Sequence, residues 1–241
     1  MDDWEYKGAR DRDLPVMERI RSAKRECSLF EVGCMLIWAA FVKLWLQAYH
    51  RLQIRGRVNL PDQPRFVMVA NHTSHLDALA LLSVIPMKWI GRVYVVAAGD
   101  TFFKSTVSAL FASTFLNALP IWRKKVVAHT MMDMRDRLEC DEGALILFPE
   151  GTRSRSGTMG RFKPGVAKLV AGTDIPVIPC RIRGAHEAWP PDRKLPAPRS
   201  LEVSVGPALV FEDSGDSRSE LEEITRRLEE AVRLLGEDHS I

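Results

Sequence analysis

A histidine and an aspartate five positions apart are the residues whose types and spacing most clearly indicate chemistry. The apolar run 66–70 leads through Asn71 to His72, and Asp77 lies where a helix is predicted to begin. A turn between them can bring the carboxylate onto Nδ1 of the imidazole. Such a pair makes His72 a candidate general base, because the other ring nitrogen can accept a proton and the carboxylate stabilises the resulting imidazolium. Since the chain has no G-x-S-x-G motif, the hydroxyl that loses this proton is expected to belong to a substrate.

Two other interpretations of this segment stay open. Together with His75, the pair superficially resembles a metal site, which would suit a metal-dependent hydrolase, although residues three and five positions apart on a turning loop point in different directions. Alternatively, Asp77 only caps the helix and His72 bonds to a carbonyl group, as in a non-catalytic lipid-binding module. We predict no metal ligand.

A second apolar run ends in groups suited to an anion. The segment 144–148 leads into Pro149-Glu150-Gly151-Thr152-Arg153-Ser154. Glycine allows close approach of a ligand to the backbone, the hydroxyl and N–H groups are donors, and the Arg153 guanidinium suits phosphate. Lys163 adds a cation just before a predicted helix. Residues 151–170 contain five Lys or Arg and no acid, typical of either a phosphate site or a solvated basic loop. The Walker pattern is absent, which argues against a nucleoside triphosphatase.

Two further apolar segments contain features of interest, a terminal arginine in one and two prolines in the other. Arg123 closes Ala118-Leu-Pro-Ile-Trp-Arg, and taken alone it is better explained as a surface ion-pair partner. The run 175–180, which holds two prolines, is predicted to form a wall of the pocket without carrying chemistry.

The elements that must position these residues follow an α/β pattern. We predict strands at 53–57, 66–70, 93–97, 119–122, 144–148, 177–182 and 201–205, and helices at 76–84, 102–116, 126–139, 166–171 and 219–235. The predicted fold is therefore α/β, with a mostly parallel to mixed central sheet flanked by helices. Ligands bind at the carboxyl ends of the strands in such sheets, which is where the candidate residues lie.

Composition agrees with a globular protein. The 241 residues are 46% hydrophobic and 27% charged, which excludes a disordered, collagen-like or polytopic membrane protein. A net charge of +3 is too small to indicate a nucleic-acid partner, and we predict none. The four cysteines are scattered without CxxC spacing, so neither a disulfide framework nor a zinc knuckle is expected.

The N-terminal residues 1–49 are predicted to form a membrane-associating helical element, and residues 50–241 the main domain. A basic amphipathic helix begins near Leu14 and leads into the apolar run 32–42, which is shorter than a spanning helix requires. We favour a helix in the membrane interface over a spanning or an ordinary core helix. No export signal is predicted, so the expected location is the cytoplasmic face of a membrane, either peripheral or with a single span.

Four of these segments resemble the glycerolipid acyltransferase family, of which the 1-acyl-sn-glycerol-3-phosphate acyltransferases are typical. NHTSHLD (71–77) resembles the family's N-H-x-x-x-x-D block, FPEGTRS (148–154) its E-G-T-R block, PIWR (120–123) its block ending in arginine, and IPVIP (175–179) its V-P-[IV]-x-P block. The blocks occur in the family's order, so the resemblance is specific although each block alone is weak.

The resemblance implies transfer of a fatty acyl group from coenzyme A or acyl carrier protein to the hydroxyl of a lysophospholipid, without a cofactor. His72 would be the general base and Asp77 its orienting partner. The phosphate of the acceptor would be bound by Arg123, Glu150, Gly151, Thr152 and Arg153, with Lys163 as an addition. One departure concerns Asp100, which stands near where many members carry a cation. Another lysolipid acceptor is therefore the alternative to 1-acyl-glycerol-3-phosphate.

Overall fold

The computed structural model of the chain describes residues 27–99, 105–121, 128–140 and 143–237, together with Phe103 and isolated positions between 13 and 25. Most of the amphipathic helix predicted from Leu14 lies outside these residues, as do Asp100 and Arg123.

Seven strands of the described residues form one sheet in the order β1-β7-β6-β2-β5-β3-β4. Neighbouring strands are parallel except for β6 and β7, which are antiparallel. The prediction of a mostly parallel to mixed sheet is confirmed. The strands are β1 (Gln53–Arg55), β2 (Phe66–Ala70), β3 (Val93–Ala98), β4 (Ala118–Ile121), β5 (Ala144–Leu147), β6 (Val177–Arg183) and β7 (Glu202–Val205).

Helices cover both faces of this sheet. Their bounds are α1 (Leu29–His50), α2 (Asp77–Val84), α3 (Thr106–Leu116), α4 (Ala128–Cys140), α5 (Gly165–Val170), α6 (Ala185–Ala188) and α7 (Arg218–Leu234), with short 3₁₀ turns at Arg57–Asn59 and Met87–Arg92. Among the helices predicted after residue 50, the largest shift is at α3, which begins at Thr106 because Ser105 accepts a hydrogen bond from the Ser108 N–H and caps the helix there.

The central strand β2 divides the core into two layers. All five of its residues are buried, as expected for a strand covered on both faces. Phe66, Met68 and Ala70 belong to the layer that α1 and α2 cover. Val67 and Val69 belong to the layer beneath α4, α5 and α7.

Helix α1 is longer than the predicted apolar run. It begins at a capping box in which the Ser28 hydroxyl accepts from the Glu31 N–H and the Glu31 carboxylate accepts from the Ser28 N–H. Lys43, the other charge in the segment, donates to the Ile85 carbonyl at the end of α2. Both charges therefore have partners on the protein, which lets the helix continue to His50. Its length and apolar composition would also allow it to cross a membrane.

Candidate active site

His72 and Asp77 form the pair that their spacing predicts. His72 follows β2, and Asp77 is the first residue of α2 and is completely buried. Nδ1 of His72 lies 2.9 Å from Oδ2 of Asp77. The same oxygen accepts from the N–H groups of Thr73 at 2.6 Å and Ser74 at 2.8 Å. The carboxylate thus holds both the imidazole and the turn that leads to it.

The His72 backbone is anchored to the neighbouring strand. Asn71 donates from Nδ2 to the Ile182 carbonyl at 3.0 Å and accepts at Oδ1 from the Ile182 N–H at 2.8 Å. The Phe148 ring stacks on the imidazole at 4.1 Å between centroids. Neither partner belongs to the predicted site. Both residues nevertheless belong to the segments that resemble the family's blocks, since Asn71 begins NHTSHLD and Phe148 begins FPEGTRS.

Glu150 ties three segments together. Its side chain is buried, Oε1 accepts from the His72 N–H at 2.6 Å and Oε2 accepts from the Gly160 N–H at 2.9 Å. Burial raises the pKa of the Glu150 carboxyl, and these two hydrogen bonds oppose that shift. Both oxygens are thus occupied by backbone donors, whereas the family resemblance implies that Glu150 helps to bind the phosphate of the acceptor.

The other predicted anion ligands lie on the loop that follows β5, residues 149–154, or at Lys163, which is bonded to that loop. The Ser154 N–H donates to the His72 carbonyl at 2.8 Å, and the Lys163 N–H donates to the Pro149 carbonyl at 2.9 Å. Gly151 has φ +73°, and a Cβ there would lie 2.8 Å from Nζ of Lys163. The positive φ favours glycine here, and a Cβ would in addition displace the end of the Lys163 side chain. Gly151, Thr152, Arg153 and Lys163 all line the cleft that contains His72.

His75 lies outside the His72–Asp77 pair. Its ring packs against Trp189, with centroids 5.0 Å apart, and contacts the guanidinium of Arg153. Partial burial, and then the charge of Arg153, lower the pKa of His75. No three metal-binding side chains cluster among the described residues. A cation at His75 would in addition face the positive charge of Arg153.

A single cleft of about 780 Å³ contains both the polar side chains described above and a large apolar chamber. One part is polar, with His72, Arg153 and Lys163. The other is apolar and is lined by α1, α3, α4 and the ends of the strands: Trp38, Phe41, Val42, Trp45, Val95, Val96, Ala97, Ala98, Phe111, Ala112, Leu116, Ala118, Ile121, Met131 and Met134. The run 175–180, predicted as a pocket wall, instead pairs with β2 inside the sheet, where Val177 lies opposite Val67.

Together, the fold and this cleft define an α/β protein with a His–Asp pair beside an anion-suited loop and an apolar chamber. The family model described as Acyltransferase matches residues 51–183. This is more than half of the chain, and the chain therefore belongs to the acyltransferase family.

Similar proteins whose names describe acylglycerophosphate acyltransferases are found both by sequence and by structure. The chain is 32% identical over 163 residues to a chloroplastic 1-acyl-sn-glycerol-3-phosphate acyltransferase of Brassica napus, covering 61% of this chain and 43% of the relative. It is 30% identical over 131 residues to the human 1-acyl-sn-glycerol-3-phosphate acyltransferase alpha, covering 54% and 44%. The chain thus spans less than half the length of these relatives. The crystal structure of the Thermotoga maritima 1-acyl-sn-glycerophosphate acyltransferase, PlsC, matches 87% of this chain and 80% of its own, with a TM-score of 0.66 at 21% identity, and supports the fold.

Proposed function

We propose that this protein transfers a fatty acyl group from an acyl thioester, either acyl-coenzyme A or acyl-acyl carrier protein, to the free hydroxyl of 1-acyl-glycerol-3-phosphate, producing phosphatidic acid. The observation that carries the proposal is the position of the His72–Asp77 pair between cationic side chains and an apolar chamber in one cleft. Membership of the acyltransferase family and the names of the relatives support the reaction.

The pair sets the chemistry of His72. Since Oδ2 of Asp77 is an acceptor, Nδ1 of His72 carries a proton toward it, and Nε2 is left as the base. As the acceptor hydroxyl attacks the thioester carbonyl, Nε2 takes its proton. When the tetrahedral intermediate collapses, the C–S bond breaks and the imidazolium returns the proton to the leaving thiolate. The products are an ester and a free thiol, and the step requires no cofactor. A positioned base of this kind contributes about 10²–10⁴-fold.

We propose that Arg153 and Lys163 bind the phosphate of the acceptor, with the Thr152 hydroxyl and the backbone at Gly151 as further contacts. Both cations line the cleft on the loop that is bonded to the His72 carbonyl. Glu150 then acts as a positioning residue, since its oxygens already accept two N–H groups. Arg123 stays a predicted phosphate ligand.

We further propose that α1 lies in the interface of the membrane. One side of α1 packs on the domain from Met35 to His50. A helix held in this way could cross the bilayer only by drawing the domain into the hydrocarbon. The opposite side is apolar and exposed, as expected for a helix embedded among acyl chains: Leu29, Phe30, Ile37, Phe41 and Leu44. The cytoplasmic face is the proposed location.

Acceptor-dependent thiol release tests the reaction. Purified protein in detergent micelles is expected to release coenzyme A from palmitoyl-coenzyme A only when lysophosphatidic acid is present. His72→Ala is expected to abolish this release while thermal unfolding shows an intact fold. Release without an acceptor would instead indicate a thioesterase. If coenzyme A is released only with a different lysolipid, that lysolipid is the acceptor and 1-acyl-glycerol-3-phosphate is not. Parallel assays with palmitoyl-acyl carrier protein identify the acyl donor.

A further inference from the structure

A proline-rich loop, residues 190–199, lies beside the carboxyl end of α1. It carries three cations, Arg193, Lys194 and Arg199, against one acid, Asp192. Leu195 follows two of these cations and is 75% exposed. Within the part of the chain that the structure describes, none of the three cations has an ion-pair partner. Among these described residues, the loop therefore presents unpaired positive charge and one apolar side chain to its surroundings.

Two polar contacts join this loop to α1 directly, and two more join the residues that follow the loop, Ser200 and Leu201, to the end of the helix and to Arg51. The Tyr49 hydroxyl donates to the Pro196 carbonyl at 3.3 Å, and Nδ1 of His50 lies 3.1 Å from the Arg199 carbonyl oxygen. The Leu201 N–H donates to the His50 carbonyl at 3.0 Å, and Nε of Arg51 donates to the Ser200 hydroxyl at 3.1 Å. The four prolines of the loop restrict its backbone further. The loop and the end of α1 therefore form one rigid unit.

The other end of the loop reaches the mouth of the cleft. Trp189 lines the cleft, its indole N–H donates to the Arg193 carbonyl at 2.9 Å, and its own carbonyl accepts from the Ser74 hydroxyl at 2.6 Å. Ser74 belongs to the turn between His72 and Asp77. A surface bound by the loop would therefore be held in a fixed position relative to the catalytic pair.

We propose that loop 190–199 is a second membrane-docking element, in which Arg193 and Lys194 bind anionic phospholipid headgroups and Leu195 inserts beside the apolar face of α1. The inference rests on the proposed function in that the acceptor lies in a bilayer. The loop is bonded to the carboxyl end of α1, the helix proposed to lie in the interface, and it carries the exposed cations Arg193 and Lys194, which favours an anionic lipid surface over a protein partner. Docking at two points, α1 and the loop, would direct the cleft toward the leaflet.

Sedimentation with lipid vesicles tests the proposal on the full chain. Vesicles of phosphatidylcholine with and without phosphatidylglycerol are compared at low and high salt. The double variant Arg193→Gln/Lys194→Gln is expected to bind the anionic vesicles roughly 25-fold more weakly, at about fivefold per cation, and to match the wild type on neutral vesicles. High salt is expected to remove most of the difference. Leu195→Ser is expected to weaken binding to both kinds of vesicle, by about tenfold.

The matched controls lie on the opposite face of the sheet. Lys168→Gln/Arg218→Gln removes two exposed cations from α5 and α7, and Leu234→Ser removes an exposed leucine from α7. Both are expected to bind vesicles like the wild type. If the charge control weakens binding as much as the loop variant, net charge alone is responsible and the proposal is wrong. It is also wrong if Arg193→Gln/Lys194→Gln or Leu195→Ser binds as the wild type does.

Activity in micelles separates this inference from the proposed function. None of the loop substitutions touches His72 or the anion-suited side chains, so lysophosphatidic acid acylation in detergent should persist at wild-type rates. An inactive wild type that still binds anionic vesicles through the loop would contradict only the proposed function. Normal vesicle binding by the loop variants, with slower reaction of acyl-acyl carrier protein, would assign the loop to an acidic protein partner and overturn the membrane assignment.

Discussion

One oxygen of Asp77 accepts three hydrogen bonds, from the His72 ring and the N–H groups of Thr73 and Ser74. Its other oxygen, Oδ1, is buried and has no hydrogen-bond partner among the described residues. An asparagine can therefore keep its carbonyl at the Oδ2 position and place its amide nitrogen where no donor opposes it. Asp77→Asn thus removes the charge while largely preserving the geometry.

We expect Asp77→Asn to lower kcat by about 10²–10⁴-fold, because the neutral amide no longer stabilises the imidazolium by its charge. The measurement is kcat for lysophosphatidic acid acylation, with thermal unfolding to verify the fold. Asp174→Asn is the matched control, since Asp174 forms an exposed ion pair with Arg65. A kcat within a few-fold of the wild type in Asp77→Asn would mean that the pair is structural.

Arg153 provides a different test, of binding rather than proton transfer. If its guanidinium contacts the acceptor phosphate in both the ground state and the transition state, Arg153→Ala should raise KM for lysophosphatidic acid while kcat changes little. A charge-assisted hydrogen bond of about 1.5–3 kcal/mol corresponds to roughly 10- to 150-fold in KM. Arg155→Ala, which removes an exposed arginine from the same loop, is the control. An unchanged KM in Arg153→Ala would remove the arginine from the phosphate site.

At the scale of elements, local patterns predict every strand of the sheet, most clearly the buried apolar runs such as Phe66–Ala70, whereas Gln53–Arg55 is short and two of its three residues are exposed. The same patterns predict that His72 and the 149–154 segment follow strands whose carboxyl ends share one edge. They do not predict the role of Glu150, which depends on N–H groups from two distant segments, at His72 and Gly160. Nor does the apolar run 32–42 by itself show the bounds of α1, which includes Glu31 and Lys43 because these charges have partners in the cap and at the end of α2.

Two leucines on α1 test how this helix is placed. Leu46 is completely buried against the domain, whereas Leu44 is 69% exposed. We expect Leu46→Ala to lower the free energy of unfolding by about 2–5 kcal/mol, since the substitution leaves a cavity. Leu44→Ala should change it by no more than about 0.5 kcal/mol. The free energy of unfolding of both variants is measured with denaturant in the same detergent. Equal decreases in the two variants would show that α1 packs on the domain through a different side.

At the scale of the whole molecule, the cleft exists only because α1, α3, α4 and the strand ends surround the same space. Its apolar lining comes from residues as far apart in sequence as Trp38 and Leu169. No local pattern shows which apolar side chains face this chamber and which fill the core. The length of acyl chain that the chamber admits is therefore a property of the assembled fold.

A pair of alanines on α3 tests whether the chamber holds the acyl chain. Ala112 and Ala109 are both completely buried, but only Ala112 lines the cleft. Methionine at either position adds the same volume to a packed region, and the resulting strain costs about 1–3 kcal/mol. In Ala112→Met part of that volume occupies the chamber, so a long acyl chain has to compete with it while a short chain does not.

We expect Ala112→Met to lower kcat/KM for palmitoyl-coenzyme A by roughly 5- to 150-fold, the range that corresponds to this strain, and to leave reaction of decanoyl-coenzyme A near the wild-type value. Ala109→Met should lower the melting temperature without changing the ratio between the two donors. Competition between the donors in one assay gives that ratio directly. If Ala112→Met lowers kcat/KM equally for both donors, the acyl chain binds elsewhere. A methionine inside the chamber would hinder the long chain, which enters deeply, more than the short chain.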